Sequence, residues 1–156
     1  MLPDADVIGL KLGLAYEDVL GHRGLTHSLV FALVLGFLTA RFLFPRESSA
    51  IAWWRTGVFL SAITATHGLA DAMTDGGLGI AFFSPFHAER YFLLWRPIIV
   101  SPISLRAFLS QWGIDVARTE ILTLWCPLVA LAGIRLLLSR SSQVRDDSGD
   151  VDRPTT

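Results

Sequence analysis

The sequence predicts an all-α protein, a membrane helical bundle of about three transmembrane helices plus a short interfacial helix. Its 156 residues fit one domain, and 52% of them are hydrophobic while only 17% are charged. The mean hydropathy of +0.50 is too high for an ordinary soluble domain of this size. Three separate apolar stretches approach the roughly 20 residues with which a helix crosses a bilayer. The alternative is a buried helical bundle in a soluble protein.

The first two predicted spans cover residues 25–44 and 51–71. Residues 53–55 (WWR) at the start of the second span match the tryptophan and arginine belt of a membrane interface. Pro45 and the polar residues after it predict a short turn between these spans. The third predicted span covers residues 121–138.

The interfacial helix is predicted in the region before the third span. Ser104 is a suitable N-cap, and the apolar residues of the stretch 104–118 share one helical face, as in a helix that lies on a membrane. Residues 139–156 are polar and charged, so we expect a membrane-embedded domain over 1–138 and a disordered tail over 139–156. The first residues, MLPDADVIG, lack the basic region of a cleavable signal peptide.

Charge and cysteine content exclude several classes of protein. The formal net charge is −1, so the chain has no global basic field for nucleic acid. The single cysteine, Cys126, excludes an internal disulfide. We therefore expect membrane lipid, and not nucleic acid, as the partner.

The segment HGLAD at the end of the second span places two metal-ligand types on one helical face. His67 and Asp71 are four residues apart, so they lie one above the other. An acid is unfavourable near a helix C-terminus, where the helix dipole is negative, and a nearby cation would remove that penalty. The alternative is a set of capping residues and solvated acids.

The segment GHRGLTHS at the start of the first span adds two more histidines. If the first two spans are antiparallel, His22 and His27 come to the same membrane face as the HGLAD segment. Asp4 and Asp6 precede the first span and reach that face too, and Glu120 arrives there at the start of the third. A single histidine in such a place is most often structural, satisfied by a backbone carbonyl, whereas this collection favours a metal ion.

The predicted metal ligands are Asp4, Asp6, His22, His27, His67 and Asp71. Imidazole and carboxylate ligands without thiolate suit zinc, manganese or iron, and several carboxylates could hold two ions. Residue types alone do not choose among these metals. His87 lies in the irregular connection, where a surface histidine is the simpler interpretation.

Four segments carry a resemblance to a known family: PDADVIG at 3–9, HRGLTHS at 22–28, HGLADAMTDGG at 67–77 and the SPF…RYFLLWRPI…SPI region at 84–103. The chain resembles the YdjM-like, LexA-binding family of inner-membrane-associated metal-dependent hydrolases, from Pro3 to about Pro127. The family is distantly similar to zinc-dependent phospholipase C and its nuclease relatives, helical enzymes that use His/Asp metal clusters on phosphoesters. Family members usually carry another apolar helix before the PDxD element, often with an early histidine, whereas this sequence starts with Met1, Leu2 and Pro3.

These observations together predict a multi-pass inner-membrane hydrolase. A divalent metal, most readily zinc or manganese, would lower the pKa of a bound water to roughly 7 and so supply the nucleophile. We expect Arg23, Asp71 and Glu120 to take part in catalysis, and Arg23, Arg90 and Arg96 to hold a phosphate through bidentate contacts. A lipid or lipid-linked phosphoester fits a site at that depth.

Two other functional classes stay open from the sequence. The first is a non-enzymatic membrane protein with a structural or regulatory metal site that docks a partner, because sequence does not reveal whether a site keeps an open position. The second is transport, which is weaker because the polar residues cluster at helix ends and not at the middle of the membrane.

Overall fold

The computed structural model describes residues 2–45 and 49–150. The regular structure in these residues is helical, which confirms the predicted all-α class. The helices are α1 (Val7–Lys11), α2 (Leu29–Leu43), α3 (Ala50–Ala72), α4 (Leu105–Phe108), α5 (Gln111–Glu120) and α6 (Cys126–Asp150). Short 3-10 turns cover Pro3–Asp6 and Leu25–His27, and a π-helical turn over Ile121–Trp125 joins α5 to α6.

Serine side chains begin the two helices of a hairpin formed by α2 and α3. Ser28 Oγ accepts a hydrogen bond from the backbone N–H of Phe31 at the start of α2. Ser49 Oγ accepts the equivalent bond from Ala52 at the start of α3. Each serine satisfies an amide that has no partner inside its own helix.

The two helices of the hairpin pack along a line of small residues. The buried positions are Ala32, Gly36 and Ala40 on α2 and Gly57, Ser61, Gly68 and Ala72 on α3. A β-carbon at Gly36 would lie 2.7 Å from the Cα of Ser61, and one at Gly57 would lie 2.6 Å from the ring of Phe37. Backbones approach this closely only where side chains are small or absent. The hairpin is therefore held by direct contact between the helix backbones.

This hairpin brings the start of α2 next to the end of α3. A β-carbon at Gly68 would lie 2.9 Å from the carbonyl oxygen of His27. The predicted convergence of the two histidine-bearing segments is thereby confirmed. The position of one turn of backbone, Leu25–His27, is thus fixed by a glycine on the opposite helix.

An irregular segment, residues 73–104, folds over this end of the hairpin. Two isolated bridges pair Thr74 with Ile98 and Ile80 with Tyr91. Ile80 and Ile98 are buried, and Ile80 lies next to Gly68 of α3, so this segment packs its apolar side chains against the hairpin. The backbone N–H of Leu93 donates to the carbonyl of Ala72, which ties the segment to the end of α3.

The last helix is the part of the described chain best suited to cross a membrane. The stretch Gln111–Ser139 is long and apolar enough to do so, and its most apolar window is not buried within the protein. The α2 helix is also apolar but shorter. Among the described residues this last helix alone meets the requirements of length and hydropathy, and the bundle of about three spans stays a prediction.

The predicted extent of the interfacial helix is wrong. Ser104 does cap a helix, because its Oγ accepts a hydrogen bond from the N–H of Ala107, but α4 lasts only about one turn. Ser110 Oγ then accepts a bond from Trp112 and starts α5, which belongs to the last helix. A second capping serine inside the apolar pattern interrupts the helix that the pattern alone predicts.

The backbone of α6 stays helical to Asp150, past the predicted start of the polar tail at residue 139. Residues 151–156 lie outside the described residues. The division into a membrane domain over 1–138 and a tail over 139–156 stays a prediction.

Adding one methyl group at the helix contact should destabilise the hairpin. We expect Gly36→Ala to lower the stability by roughly 1–3 kcal/mol, because the new β-carbon meets the backbone of Ser61 and the helices must move apart. Thermal unfolding in detergent measures this change. Gly133→Ala in α6 is the matched control, since its β-carbon would have no neighbour within 4 Å. Equal unfolding temperatures for the two variants would contradict the close packing.

Candidate metal centre

Three separate parts of the chain supply the polar residues at this end of the hairpin. The turn Pro3–Asp6 supplies Asp4 and Asp6, and the turn Leu25–His27 supplies His27. The last two turns of α3 supply His67 and Asp71, which share one face of the helix as their spacing predicts. The predicted ligands therefore come together from positions far apart in sequence.

Four of these residues form a group that could hold a metal ion, namely Asp4, His27, His67 and Asp71. One ligand atom from each lies within 4.8 Å of all the others. His67 Nε2 is 3.0 Å from Asp4 Oδ1, and His27 Nε2 is 3.1 Å from Asp71 Oδ2. A tetrahedral ion with bonds of about 2.1 Å separates its ligand atoms by about 3.4 Å. The observed spacing is close to that value, so the donor set fits a single cation.

The buried nitrogen of His27 identifies the centre of the group. The His27 side chain is fully buried, and its Nε2 has no hydrogen-bond partner among the described residues. Two carboxylate oxygens are near enough for ion pairs, at 3.1 Å from Asp71 and 3.5 Å from Asp4, but neither lies in line with the ring N–H. A buried polar atom without a hydrogen-bond partner is rare in native proteins, and a bound metal ion would supply the missing partner of this nitrogen.

The carboxylates control the charge of the group. Burial opposes ionisation of Asp4 and Asp6, but hydrogen bonds from neighbouring histidines outweigh it and hold the pKa of each carboxyl well below its usual range. Burial also opposes a charge on His27, yet the carboxylates of Asp4, Asp6 and Asp71 outweigh it and raise the pKa of His27 to about 10. The direction of these pKa shifts favours a positive charge in the cluster, and a metal ion would displace the His27 proton.

Asp6 lies behind the four-residue group and orients it. Its buried carboxylate is 3.2 Å from His27 Nδ1 and accepts hydrogen bonds from Thr26 Oγ1 at 2.5 Å and from the backbone N–H of Arg23 at 3.1 Å. A carboxylate on the second ring nitrogen of a histidine fixes the orientation with which the first nitrogen meets a metal. The structure thus places Asp6, predicted as a ligand, one layer behind the group.

His22 also lies outside the four-residue group. Its Nδ1 donates to Asp6 Oδ1 at 2.6 Å, and its ring packs edge-on against the rings of Tyr16 and His27. Two histidines therefore share the carboxylate of Asp6, one on each oxygen. Spacing in the sequence did not distinguish their roles, because both histidines flank the same glycine turn.

Arg23 is held in an unusual backbone conformation beside the metal group. Its φ of 63° is in the left-handed region, which costs a residue other than glycine about 1–3 kcal/mol. Asp6 accepts its N–H, Ala81 donates to its carbonyl, and its Nη1 donates to the carbonyl of Gly76. The buried Nε of Arg23 lies 3.6 Å from Asp71 Oδ2 and has no hydrogen-bond partner in the described part of the chain.

The remaining residues that the sequence singled out lie outside the four-residue metal group. Glu120 is half-buried at the end of α5, close enough to Asp71 for their charges to repel, but it is not one of the four. Arg90 donates to backbone carbonyls of the loop before α2 and of Gly79, so its guanidinium serves the fold. Arg96 stacks on the ring of Phe92, and His87 is exposed.

A cleft of about 290 Å³ opens beside Arg23, and we call it the Arg23 cleft. Its polar lining includes Tyr16, His22 and Arg23, and its apolar lining includes Val100, Pro102, Ile103, Ala107 and Trp112. The sequence analysis missed Tyr16 and this apolar wall, since neither has a spacing that links it to the histidine motifs. A larger open groove on the outer face of α3 is lined by Trp54, Val58 and Ala62 among others, and its lining includes no member of the metal group.

Comparison with known proteins identifies the family. The model of the YdjM inner membrane protein family matches residues 1–142. The chain belongs to the YdjM family. It is also similar to the inner membrane protein YbcI of Escherichia coli strain K12, with 40% identity over 139 residues that cover 86% of this chain and 76% of the relative. No solved structure matches the chain. This YdjM family protein is thus membrane-associated, as the resemblance implies.

Removing one ligand should abolish stoichiometric metal binding. We expect His67→Ala and Asp71→Ala to lose the ion, because each removes one of four converging donor atoms. Elemental analysis of detergent-purified protein measures the metal content. The exposed His87 supplies the control, and His87→Ala should keep the metal. Unchanged content in both ligand variants would refute the site.

Replacing Asp6 should weaken metal binding without abolishing it. Asp6→Asn keeps the shape of the side chain but removes the charge behind His27, so we expect the metal affinity to fall about 10–100-fold. Competition with a chelator measures the affinity. Asp18→Asn, at an exposed acid of the neighbouring loop, should have no effect. Complete loss of metal in Asp6→Asn would instead make Asp6 a ligand.

Proposed function

We propose that the protein is a membrane-bound metal-dependent hydrolase that acts on a phosphoester, either a lipid or a lipid-linked compound. The main support is the convergence of Asp4, His27, His67 and Asp71 around the buried, unpartnered Nε2 of His27. Two imidazoles and two carboxylates suit zinc or manganese. A divalent cation held by these residues would lower the pKa of a bound water to roughly 7 and so provide a nucleophile at neutral pH.

Arg23 binds a phosphate oxygen in this proposal. A divalent cation would balance the charges of Asp4 and Asp71, and the carboxylates of Asp6 and Glu120 then stand beside the positive charges of Arg23 and Arg90. The guanidinium of Arg23 at the cleft then supplies the local positive charge for a phosphate group. The guanidinium of Arg23 is already desolvated, and its Nε, 3.6 Å from Asp71, has a hydrogen bond still to donate.

In this proposal, His22 donates a proton to the leaving oxygen of the phosphoester. Its Nδ1 is engaged by Asp6, which leaves Nε2 as the ring nitrogen for proton transfer. The same side chain lines the Arg23 cleft, where a leaving oxygen would lie. An imidazole oriented by a carboxylate is a common arrangement for a general acid or base. Glu120 lies near Asp71, but it is not among the four residues of the metal group and does not line the Arg23 cleft.

A structural or regulatory metal site is the second candidate, and one observation favours it. The four residues supply four donor atoms, which is the number that closes a tetrahedral structural site. A catalytic ion keeps a position open or expands its coordination. The buried Arg23 and the adjoining cleft favour catalysis, because a closed structural site needs neither.

We infer that the protein lies in the inner membrane and crosses it more than once. The stretch Gln111–Ser139 would cross the bilayer, accompanied by the α2–α3 hairpin. The metal group then lies at one membrane surface, since it occupies the end of that hairpin. A lipid or lipid-linked phosphoester reaches this depth directly from the bilayer.

Turnover should depend on the fork of Arg23 and not only on its charge. We expect purified protein loaded with zinc or manganese to hydrolyse a phosphoester such as bis(p-nitrophenyl) phosphate, and a chelator to stop it. Arg23→Lys should keep the metal and lose about 100-fold or more in turnover, because an ammonium cannot make a bidentate contact. Arg118→Lys, at an exposed arginine of α5, should retain activity.

Two results would contradict this proposal. Full activity of Arg23→Lys would make the residue a structural cation. Absence of hydrolysis with every divalent metal tested, together with a tightly bound ion, would favour the structural site.

A further inference from the structure

The Arg23 cleft combines a cationic floor with an apolar wall. Arg23 is 4% exposed, and its Nε lacks a hydrogen-bond partner in the described residues. Because Arg23 lines the cleft and its guanidinium is charged, an anion bound in the cleft would be stabilised by it. The floor is directly next to the metal group, because the same Nε is 3.6 Å from the Asp71 carboxylate.

Gly77 keeps the floor of the cleft open. Its φ of 86° is in the left-handed region, and a β-carbon there would lie 2.7 Å from Arg23 Nη1 and 3.0 Å from Tyr16 Oη. Any larger residue at position 77 would therefore displace the two polar side chains. This glycine belongs to the HGLADAMTDGG segment, so the segment that supplies two metal ligands also shapes the cleft.

The apolar wall joins the cleft to the last helix. Trp112 stands in the first turn of the stretch Gln111–Ser139, and its Nε1 donates to the carbonyl of Val100 at 2.9 Å. That bond fixes one side of the cleft to the base of the helix best suited to cross the membrane. Ile103 and Ala107 complete the wall on the short α4 side. A hydrocarbon chain could thus pass from the lipid phase to the cleft along apolar surface.

We propose that the Arg23 cleft is the binding site for a lipid phosphoester, with the phosphate on Arg23 and the hydrocarbon arm against Ile103, Ala107 and Trp112. This inference rests on the proposed function, since it places the ester phosphorus beside the metal group. It adds the specificity of the site, because a soluble sugar or nucleoside phosphate would leave the apolar wall in contact with water. The cleft volume of about 290 Å³ suits a head group with the beginning of a chain.

Equilibrium binding tests this assignment without requiring turnover. The metal-loaded full chain in alkyl maltoside micelles, which contain no phosphate, is titrated with dihexanoyl phosphatidate and with inorganic phosphate by calorimetry. We expect the lipid to bind at least about tenfold more tightly, since two buried methylene groups already account for that ratio. Arg23→Gln should weaken the binding of both probes.

A bulky side chain on the apolar wall of the cleft should weaken the binding of phosphatidate but not that of inorganic phosphate. Ala107→Trp should weaken phosphatidate at least about tenfold and leave inorganic phosphate and the metal content unchanged, because the new ring occupies only the apolar side. Leu105→Trp is the matched control, since Leu105 lies on the same short helix, is 73% exposed and does not line the cleft. Ile103→Asn makes the wall polar without added volume and should reproduce the loss if the bulkier variant does not fold.

The outcomes distinguish this inference from the proposed function. Tight phosphatidate binding that Ala107→Trp or Ile103→Asn removes, without hydrolysis of any phosphoester, would support the cleft and refute the hydrolase. Equal binding of phosphatidate and inorganic phosphate would overturn the lipid assignment, even if the protein hydrolyses a soluble phosphoester. Equal effects of Ala107→Trp and Leu105→Trp would also overturn it.

Discussion

The close approach of α2 and α3 is the constraint on which the metal group depends. Gly36 and Ser61 bring the two backbones into contact, and Gly68 receives the carbonyl of His27 at the far end of the same interface. If the helices stood even one methyl group further apart, the turn Leu25–His27 would move relative to the end of α3. The distances of 3.0–4.0 Å between histidine nitrogens and carboxylate oxygens would then no longer suit one cation. An apolar helix contact therefore sets the geometry of a polar site.

Electrostatics explains why the polar residues occupy the end of the hairpin. Three carboxylates and three histidines would be very costly within the hydrocarbon region of a membrane or in a dry core. At the end of the hairpin they lie within ion-pair distance of one another, and Asp6 accepts a hydrogen bond from His22 and lies 3.2 Å from His27 Nδ1. The carboxylates of Asp4 and Asp71 lie near His27 Nε2, and together with Asp6 they raise the pKa of His27. A proton on Nε2 compensates these carboxylates only in part, because Nε2 has no acceptor aligned with it.

The arginines around the site divide into two kinds by what their guanidinium groups contact. Arg90 donates its hydrogen bonds to backbone carbonyls and so stabilises the loop that precedes α2. Arg23 has a donor left, is desolvated, and is maintained in a strained backbone conformation by Asp6, Ala81 and Gly76. Strain of this kind persists only where surrounding contacts fix the residue in place. Together with the apolar wall at Trp112, this difference makes Arg23 the residue best placed to recognise an anion.

The sequence by itself determined the all-α class and the apolar character, and it predicted a group of six metal ligands that includes Asp4, His27, His67 and Asp71. Those conclusions depend on local properties, namely hydropathy, the four-residue spacing of HGLAD, and the residue types that bind metals. Only the tertiary structure assigned Asp6 and His22 to the layer behind the group, reduced the interfacial helix to one turn, and joined Arg23 to the wall formed by Val100, Ile103 and Trp112. The physical reason is that a hydrogen-bond partner or a cleft wall is chosen by contacts between residues distant in sequence. Such contacts depend on how closely two helix backbones approach, and neither periodicity nor composition encodes that distance.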